Sequence, residues 1–575
     1  MRLRLALFLL TLCLGPPAWA GIEVDITGLK GDELDNVRQR LGIVAAAERP
    51  DLDDALVQRL HEQAIDDIEI ALQPFGYYSP EVSAGELQKT GEGWKVAYSI
   101  KPGPPTLITR LDISAEGEGK DFADIQTALS DLPLKLGDRL LHTNYEAAKN
   151  RLLSAAYDAG YLDVRFEPSE LRVTPETQSA EITLKLITGS RYFIGPVTLE
   201  LEKLDRDSVQ RYVTIHEGEP FSPKKVLETQ FALSDLNYFQ TVEIEPRRDL
   251  TENQRIPIVI HTALRKNARY QFGVGYGTDT GARGIIGAEF RRINDYGHKV
   301  LTDLRLSQIK NVISAEYRIP VGEKATDNLS FTTTYTQEEI ADSDSRKFTL
   351  GTALYRTPGF WQRRIYLDFA REYSTISGIT TQSDLFIPGL SLSHSTLDDP
   401  IYARLGWSSF LDVHGASDIA LSDSSFIQWH GILRGVIPLG DRARLMGRAE
   451  MAGSWVPDFA DLPASQRLYA GGDQSVRGYG YQTIGPRDST GKVVGGKYLS
   501  VFSVESDYRI YDEWGIAAFY DIGGAANNPS PALLAGAGLG VRYRAPFGDV
   551  RVDFAHPFDD PGTTIRFHVG IRVGL

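Results

Sequence analysis

The feature that most constrains the fold is an alternation of residue types, which starts at Ala268 and runs to the C-terminus. In its first segment every second residue is apolar or aromatic, namely Tyr270, Phe272, Val274 and Tyr276. The last segment, residues 565–575, alternates in the same way. Residues two apart lie on the same face of a β-strand, so each segment predicts a strand with one apolar face and one small or polar face.

Between these two terminal strands the sequence contains fourteen further strand candidates, which gives sixteen in total. The fourteen lie near 284–292, 299–308, 311–319, 328–337, 346–355, 363–373, 384–394, 401–411, 426–436, 443–453, 497–509, 514–521, 534–545 and 548–555. Bacterial barrels have even strand numbers, and tilted strands of about ten residues cross a membrane. The sequence therefore predicts a 16-stranded antiparallel transmembrane β-barrel over residues 267–575. A soluble β-propeller or sandwich is the alternative, but regular blade motifs are missing.

The first half of the chain contains a loose internal repeat. Its marker is a predicted helix that ends at Gly or Asn and is followed by an aromatic residue and a strand. The three copies are Phe75-Gly76-Tyr77-Tyr78, Ala159-Gly160-Tyr161-Leu162 and Leu236-Asn237-Tyr238-Phe239. Gly and Asn tolerate the left-handed backbone that closes a helix. The marker spacing is long enough for one small domain in each copy.

Each copy predicts the same order of elements, β-α-α-β-β, which indicates three α+β domains over residues 21–103, 104–188 and 189–266. Three unrelated small domains are the alternative. The second copy's long helix is expected to start at a capping box formed by Thr143 and Glu146. The third copy's helix is expected to start at Ser222-Pro223.

The N-terminus predicts a secretory signal peptide over residues 1–20. A positive start is followed by an apolar run and by the small-x-small site Ala18-Trp19-Ala20. A membrane anchor is disfavoured because the apolar run is only about ten residues long. The chain's one cysteine, Cys13, lies in this segment, so the mature protein is expected to have no thiol and no disulfide.

Charge and motifs exclude several functional classes. The formal net charge of −15 argues against a nucleic-acid partner. No catalytic motif is recognisable, so no enzyme activity, cofactor or metal is expected. Residues 485–492 superficially resemble a phosphate loop, but Val493 stands where Ser or Thr would hold magnesium. The acidic run 51–54 fits a helix start better than a calcium site, because acidic side chains complement a helix N-terminus.

One connection of the predicted barrel is far longer than the others. It runs from about Ser454 to Gly496 and contains Gly471-Gly472 followed by Val476-Arg477-Gly478-Tyr479. A connection of this length is usually functional or disordered. Its glycine pair and its single arginine suggest a backbone folded tightly around one charged tip. A solvated surface arginine is the alternative.

These motifs resemble a known superfamily. The three repeats are similar to polypeptide-transport-associated (POTRA) domains, and Val476-Arg477-Gly478-Tyr479 resembles the Arg-Gly-aromatic tip of the sixth extracellular loop in the BamA superfamily. The superfamily's later strand motifs are matched by Phe519-x-Asp521-x-Gly523, Gly538-x-Gly540-x-Arg542, Pro546-x-Gly548 and Asp553. Three POTRA-like units before such a barrel point to the TamA family, the outer-membrane components of the translocation and assembly module.

The resemblance implies an outer-membrane assembly factor with its N-terminal domains in the periplasm. Its expected clients are autotransporters and other outer-membrane proteins, and an inner-membrane-anchored TamB-like protein is its expected partner through the POTRA domains. In the superfamily the loop arginine enters the barrel and meets acidic residues on the next two strands. Alternation of residues along those strands places Glu505 and Asp521 on the inward face. We therefore expect both carboxylates to contact Arg477.

Glycines are frequent in the two strands that must pair to close the barrel. They are Gly273, Gly275 and Gly277 in the first strand and Gly570 and Gly574 in the last. Glycine weakens a strand, so one interpretation is a seam that opens sideways and pairs with a client strand. The other is that these glycines only make room inside a crowded lumen.

Three other functions remain as alternatives. A two-partner-type secretion pore for one exoprotein lies within the same superfamily. A passive porin would have no use for three client-handling domains. A barrel enzyme, such as a surface lipase or protease, would need a catalytic constellation that the sequence does not offer.

Overall fold

The computed structural model describes residues 21–47, 49, 52–90, 93–279, 281–545, 548–560, 562 and 564–573. The predicted signal peptide with Cys13, and Gly574 near the C-terminus, lie outside the described residues. The chain forms two compact units. The first contains the residues up to Val197, with 215–227 and 246–258, and the second contains 198–214, 228–245 and 259–575.

The first repeat is a small sheet covered by helices. Its elements are β1 (Ile22–Thr27), α1 (Asp32–Arg40), α2 (Gly42–Ala45), α3 (Asp54–Leu72), β2 (Glu81–Ala84), β3 (Gln88–Thr90) and β4 (Gly93–Lys101). The strand order is β1-β4-β2, with β1 parallel to β4 and β3 paired to β4. The short α2 and β3 are additions to the predicted order.

The acidic run before α3 is a helix start, as predicted. The side chain of Asp53 caps the helix and accepts a hydrogen bond of 2.6 Å from the backbone N–H of Leu56. One face of α3, including Ala64 and Ile68, is fully buried and packs in a core with Val96 and Tyr98 of β4. Burial of this apolar face holds the helix on the sheet.

The second and third repeats follow the predicted order. The second contains β5 (Leu107–Glu116), α4 (Ala123–Ser130), α5 (His142–Asp158), β6 (Arg165–Thr174) and β7 (Ser179–Ile187). The third contains β8 (Phe193–Glu200), α6 (Arg206–Gln210), α7 (Pro223–Asp235), β9 (Phe239–Pro246) and β10 (Arg255–Leu264). The sheet orders are β5-β7-β6 and β8-β10-β9. Of the helices described, none is both long and apolar enough to cross a membrane.

The two predicted helix starts have different outcomes. Helix α7 begins at Pro223, and Ser222 Oγ accepts a hydrogen bond of 3.5 Å from the Lys225 N–H, as predicted. The capping box predicted for α5 is wrong. The helix already begins at His142, after an extended Leu141 that makes no side-chain cap, so Thr143 lies inside the first turn.

The left-handed markers are confirmed. Gly76, Gly160 and Asn237 have φ of 79°, 97° and 61°. The first two also join one repeat to the next. The Gly76 carbonyl accepts a hydrogen bond of 2.8 Å from the Thr106 N–H, and the Gly160 carbonyl accepts one of 2.7 Å from the Tyr192 N–H. The turn that ends a helix in one repeat thus also forms a hydrogen bond with the start of the following repeat.

The C-terminal part forms one antiparallel sheet of sixteen strands arranged as a β-barrel, which confirms the predicted fold. The strands are β11 (Ala268–Gly277), β12 (Gly281–Phe290), β13 (Lys299–Ser307), β14 (Lys310–Pro320), β15 (Asn328–Ile340), β16 (Ser343–Arg356), β17 (Gln362–Ile376), β18 (Ile379–Ser395), β19 (Gly406–Ala416), β20 (Phe426–Leu439), β21 (Ala443–Trp455), β22 (Tyr498–Arg509), β23 (Trp514–Ala526), β24 (Leu534–Ala545), β25 (Gly548–Pro557) and β26 (Arg566–Val573).

One predicted strand is displaced along the chain. The candidate at 401–411 is β19 at Gly406–Ala416, because the residues before it form a connection instead of a strand. In this connection the carboxylate of Asp398 accepts backbone hydrogen bonds from Arg404 (2.8 Å) and Leu405 (3.1 Å). These bonds take the place of a strand ladder.

Strand direction separates the connections into two ends. Strand β11 begins at the end reached from the third repeat, which we call the near end. Because neighbouring strands are antiparallel, connections that follow even-numbered barrel strands lie at the near end and the others lie at the far end. On β11 the predicted apolar face, from Tyr270 to Tyr276, is exposed on the outer surface.

Candidate functional site

The long connection between β21 and β22, residues 456–497, starts at the far end and carries Arg477 into the lumen. Gly471, Gly472 and Gly478 have φ of 101°, 107° and 99°, a region that residues with side chains rarely adopt. These glycines allow the chain to turn sharply on both sides of Arg477. The arginine is thereby presented at a tip.

Arg477 and Asp521 form a bidentate ion pair. Nε lies 2.7 Å from Oδ2, and Nη2 lies 2.9 Å from Oδ1. The backbone N–H of Arg477 also donates to Oδ2, at 3.1 Å. The two side chains are only 7% and 1% exposed. A planar guanidinium matches a carboxylate in this geometry, whereas a lysine ammonium cannot.

Two more carboxylates and a second arginine complete a closed network. Arg477 Nη1 lies 2.7 Å from Glu505 Oε2 and 3.3 Å from Asp553 Oδ2. Arg542 pairs with the same two carboxylates, Nη2 lying 2.7 Å from Glu505 Oε1 and Nη1 2.5 Å from Asp553 Oδ1. We call these five residues the Arg477 cluster. Its buried charges are all paired, which buried charges require.

An aromatic ring and the glycines of β24 surround the Arg477 cluster and leave space for it. The Arg477 guanidinium carbon lies 3.4 Å from the centre of the Phe519 ring, a cation–π contact. On β24, a Cβ at Gly536 would lie 2.1 Å from the Arg477 carbonyl oxygen, and one at Gly540 would lie 1.9 Å from Asp553 Oδ1. The glycines of this strand are therefore required by close approach of the loop and the carboxylates.

The other residues of the loop motif fix the tip to several strands. Val476 is fully buried and packs in one cluster with Leu499 and Val501 of β22. The backbone N–H of Gly478 donates to His568 Nε2 of β26, at 3.1 Å. The Tyr479 hydroxyl donates to the Ala535 carbonyl, at 3.1 Å. The tip thus contacts strands on both sides of Asp521.

The first and last barrel strands, β11 and β26, differ from every other pair of neighbouring barrel strands in their backbone pairing. Consecutive strands from β11 to β26 share ladders of seven to fifteen residue pairs. In the described residues no ladder joins β11 to β26. At the far end, the Val569 N–H donates to Thr278 Oγ1, at 3.4 Å. We call the boundary between these two strands the seam.

Most of the seam glycines are not required by space. A Cβ at Gly275 would meet no atom within 4 Å, and one at Gly273 would come no closer than 3.6 Å to Ile285. At Gly570 the nearest atom would be Asp473 Oδ2, at 3.9 Å. Gly277 is buried, and Gly574 lies outside the described residues. Crowding therefore does not explain glycine at Gly273, Gly275 or Gly570.

The long connection also bridges the two sides of the seam. The Asp473 backbone N–H donates to Asp279 Oδ2, at 2.5 Å, just after β11. Asp279 Oδ1 lies 3.8 Å from His568 Nδ1 on β26. One loop tip thus lies against the end of the first strand and against the last strand.

Three family models match this chain. The model "Omp85 superfamily domain" matches residues 290–573, which include fifteen of the sixteen strands wholly or in part and the entire Arg477 cluster. The C-terminal part of this chain is an Omp85 barrel. The model "POTRA domain TamA domain 1" matches residues 23–102, and a POTRA model described as "Surface antigen variable number repeat" matches residues 192–262. The Omp85 barrel therefore follows POTRA domains, one of which is of the TamA type.

Known relatives are outer-membrane assembly factors. The chain is 25% identical to the outer membrane protein assembly factor BamA of Nitratidesulfovibrio vulgaris, over 84% of this chain and 64% of the relative. It is 20% identical to BamA of Neorickettsia risticii, over 86% of this chain and 70% of the relative. The chain thus spans about two thirds of the length of these relatives. The protein is located in the outer membrane, with its POTRA domains in the periplasm.

A solved structure shares the fold of the Omp85 barrel. It is the crystal structure of BamA from Haemophilus ducreyi lacking POTRA domains 1–3. The TM-score is 0.65 at 16% identity, and the match covers 81% of this chain and 99% of that chain. The comparison supports POTRA domains followed by a 16-stranded barrel. The two relatives and the solved structure named here are all BamA proteins.

Sequence reasoning located part of this site. The structure brings Arg477 together with Glu505 and Asp521, the two carboxylates named from strand alternation. The sequence identifies Arg542 and Asp553 only as motif residues and does not predict their ion pairs. A usable signal was present, because charged residues on the inward face of a strand need partners. Asp279 and His568 carried no such signal.

Proposed function

We propose that this chain is an outer-membrane factor that inserts or secretes β-rich client proteins by pairing them at the seam of its barrel. The observation that carries the proposal is the missing ladder between β11 and β26 in the described residues. In a bilayer, unpaired backbone groups of a strand cost several kcal/mol each unless another strand satisfies them. A client strand that pairs with β11 would gain this energy without any nucleotide fuel.

The Arg477 cluster fixes the long connection to a part of the barrel wall away from the seam. It ties the long connection to β22, β23 and β25 through ion pairs of Arg477 that are almost fully buried. The same loop only touches the seam, through Asp473 and Gly478. We infer that the cluster holds the loop on the β22–β25 wall while the seam strands part.

The domains before the barrel fit client handling and partner binding. The TamA-type POTRA match at residues 23–102 supports membership in the TamA family, with an inner-membrane-anchored TamB-like protein as the partner. The clients would then include autotransporters. Co-purification from membranes after chemical crosslinking tests this part, and recovery of no long membrane-anchored partner would contradict it.

The lumen of the barrel argues against a passive porin. The long connection lies inside it and is held by three charged pairs, which join Arg477 to Asp521, Glu505 and Asp553. A diffusion pore needs an open lumen, and a secretion pore for one exoprotein needs this loop to leave. Assembly at the seam needs neither, because the client path lies beside the barrel wall.

A disulfide across the seam tests the proposal. Thr278 and Val569 are in contact, and the only cysteine of the chain is Cys13. The variant Thr278→Cys/Val569→Cys is expected to crosslink on oxidation and to stop client assembly, with recovery on reduction. A matched pair, Gly435→Cys/Gly447→Cys, lies on the paired strands β20 and β21 and should crosslink without effect. Normal assembly by the crosslinked seam variant would refute the lateral route.

A further inference from the structure

The connection between β18 and β19, residues 396–405, follows the eighth barrel strand and therefore lies at the near end. Its Tyr402 does not stay beside its own strands. The Tyr402 ring lies between two guanidiniums, whose central carbons are 3.5 Å (Arg444) and 3.7 Å (Arg544) from the ring centre. Its hydroxyl donates to Asp507 Oδ1, at 3.2 Å. Arg444 and Asp507 are themselves paired at 2.7 Å and almost fully buried.

These partners lie on the barrel wall two, three and five strands beyond β19. Arg444, Asp507 and Arg544 belong to the eleventh, twelfth and fourteenth strands, β21, β22 and β24. Neighbouring strands are about 4.8 Å apart, so the fourteenth strand is roughly 24 Å along the wall from the ninth. To contact the fourteenth strand, the connection extends over part of the mouth of the lumen.

The connection keeps its own shape. The Asp399 carboxylate accepts hydrogen bonds from the N–H groups of Ile401 (2.7 Å) and Tyr402 (2.6 Å). Gly406, with φ of 121°, closes the connection where a Cβ would lie 2.4 Å from the Thr396 carbonyl oxygen. A preformed segment with one large side chain at its tip can be held or released through that side chain.

A cavity of about 320 Å³ lies between this connection and the long connection, which enters the lumen from the far end. Leu397, Pro400 and Ile401 line it from the near end. Asp473, Gln474 and Ser475 line it from the far end. The lumen is thus obstructed at two levels by two independent segments.

We propose that residues 396–405 form a plug that closes the lumen toward the periplasm, and that Tyr402 is its latch. The plug controls access to the lumen and the cavity from the near end. This goes beyond assembly at the seam, which makes no use of the near-end mouth. Releasing Tyr402 frees the connection from Asp507 of β22 and Arg544 of β24 and opens the mouth.

Single-channel conductance of the purified full-length protein in planar bilayers tests the latch. Tyr402→Ala should raise the conductance severalfold, because the connection then loses its contacts with Asp507 and Arg544. Tyr402→Phe should stay near the native value, since it keeps the ring between the two guanidiniums. Tyr511→Ala is the matched control, because this tyrosine is 72% exposed in another near-end connection.

Two further variants make the result decisive. The oxidised seam variant Thr278→Cys/Val569→Cys, combined with Tyr402→Ala, should keep the raised conductance, which assigns it to the lumen and not to the seam. If Tyr402→Ala does not give the folded, heat-modifiable form, Arg544→Gln replaces it with the same expected rise. Unchanged conductance in a folded latch variant, or an equal rise in Tyr511→Ala, would refute the plug.

Discussion

Arg477 and Asp521 meet in a parallel, two-bond ion pair, with Nε 2.7 Å from Oδ2 and Nη2 2.9 Å from Oδ1. The two residues come from a loop tip and from the middle of a strand, 44 residues apart in the chain. The pair is buried, so its geometry decides whether the loop remains in the lumen.

Replacing Arg477 should destabilise the barrel and reduce function. Removing one partner from a buried ion pair costs about 3–5 kcal/mol, because the other charges stay buried without compensation. We expect Arg477→Ala, and also Arg477→Lys, to lower the urea concentration at which the heat-modifiable band is lost. Arg487→Ala, an exposed arginine of the same loop, is the control. Full rescue by lysine would contradict the bidentate requirement.

Gly540→Ala should prevent normal formation of the Arg477 cluster. Its Cβ would lie 1.9 Å from Asp553 Oδ1, so the carboxylate must leave its two arginine partners. Gly447→Ala is matched to it, because a Cβ there meets no atom within 4 Å. Urea titration of both variants measures the difference. Equal stability of the two would show that the cluster tolerates displacement of Asp553.

Gly275→Ala should impair client assembly without harming the fold. Alanine stabilises a strand by about 0.5–1 kcal/mol relative to glycine, and the site has space for the methyl group. If the first strand must yield for the seam to open, client insertion into proteoliposomes should slow. Gly447→Ala makes the same change on β21, away from the seam, and should insert clients at the native rate. Equal insertion rates for both variants would indicate that the seam glycines have no role in opening the seam.

The joint between the second and third repeats should loosen in acid. Asp163 accepts a hydrogen bond of 2.7 Å from the Tyr192 hydroxyl and pairs with Arg248 at 2.6 Å. The Tyr192 hydrogen bond, followed by the Arg248 pair, lowers the pKa of Asp163 below its usual value. A lowered folded-state pKa stabilises the joint above the ordinary Asp pKa of about 4, and this stabilisation is lost as the pH falls through the lowered value.

Hydrogen exchange of the Tyr192 amide, corrected for intrinsic rates, measures this effect. Its hydrogen bond to Gly160 spans the joint. In the native protein, protection should be full above the ordinary Asp pKa of about 4 and should fall as the pH drops below it toward the lowered pKa of Asp163. In Asp163→Asn, protection should be low and independent of pH. Glu170→Gln, an exposed acid of the same repeat, should behave as the native protein does.

Features set by near neighbours in the chain could be predicted from the sequence. The alternation from Ala268 onward identified the sixteen strands, because side-chain direction in a strand repeats every two residues. Gly76, Gly160 and Asn237 marked helix ends, since few residues adopt a left-handed backbone. The errors are also local. Thr143 resembles an N-cap residue, but the helix begins one residue earlier, at His142. The hydrogen bonds that Asp398 accepts hold the residues before β19 in a connection, so the strand begins later in the chain than predicted.

Contacts between distant segments were decided only by the tertiary structure. Arg544 and Tyr402 are 142 residues apart, and Asp473 and Asp279 are 194 residues apart. Strand order and register bring these residues to one lumen, and no local pattern encodes which side chains then face each other. The sequence alone therefore determined the elements and the charged loop tip. The partners of that tip, the plug and the unpaired seam follow from how sixteen strands are arranged around a common interior.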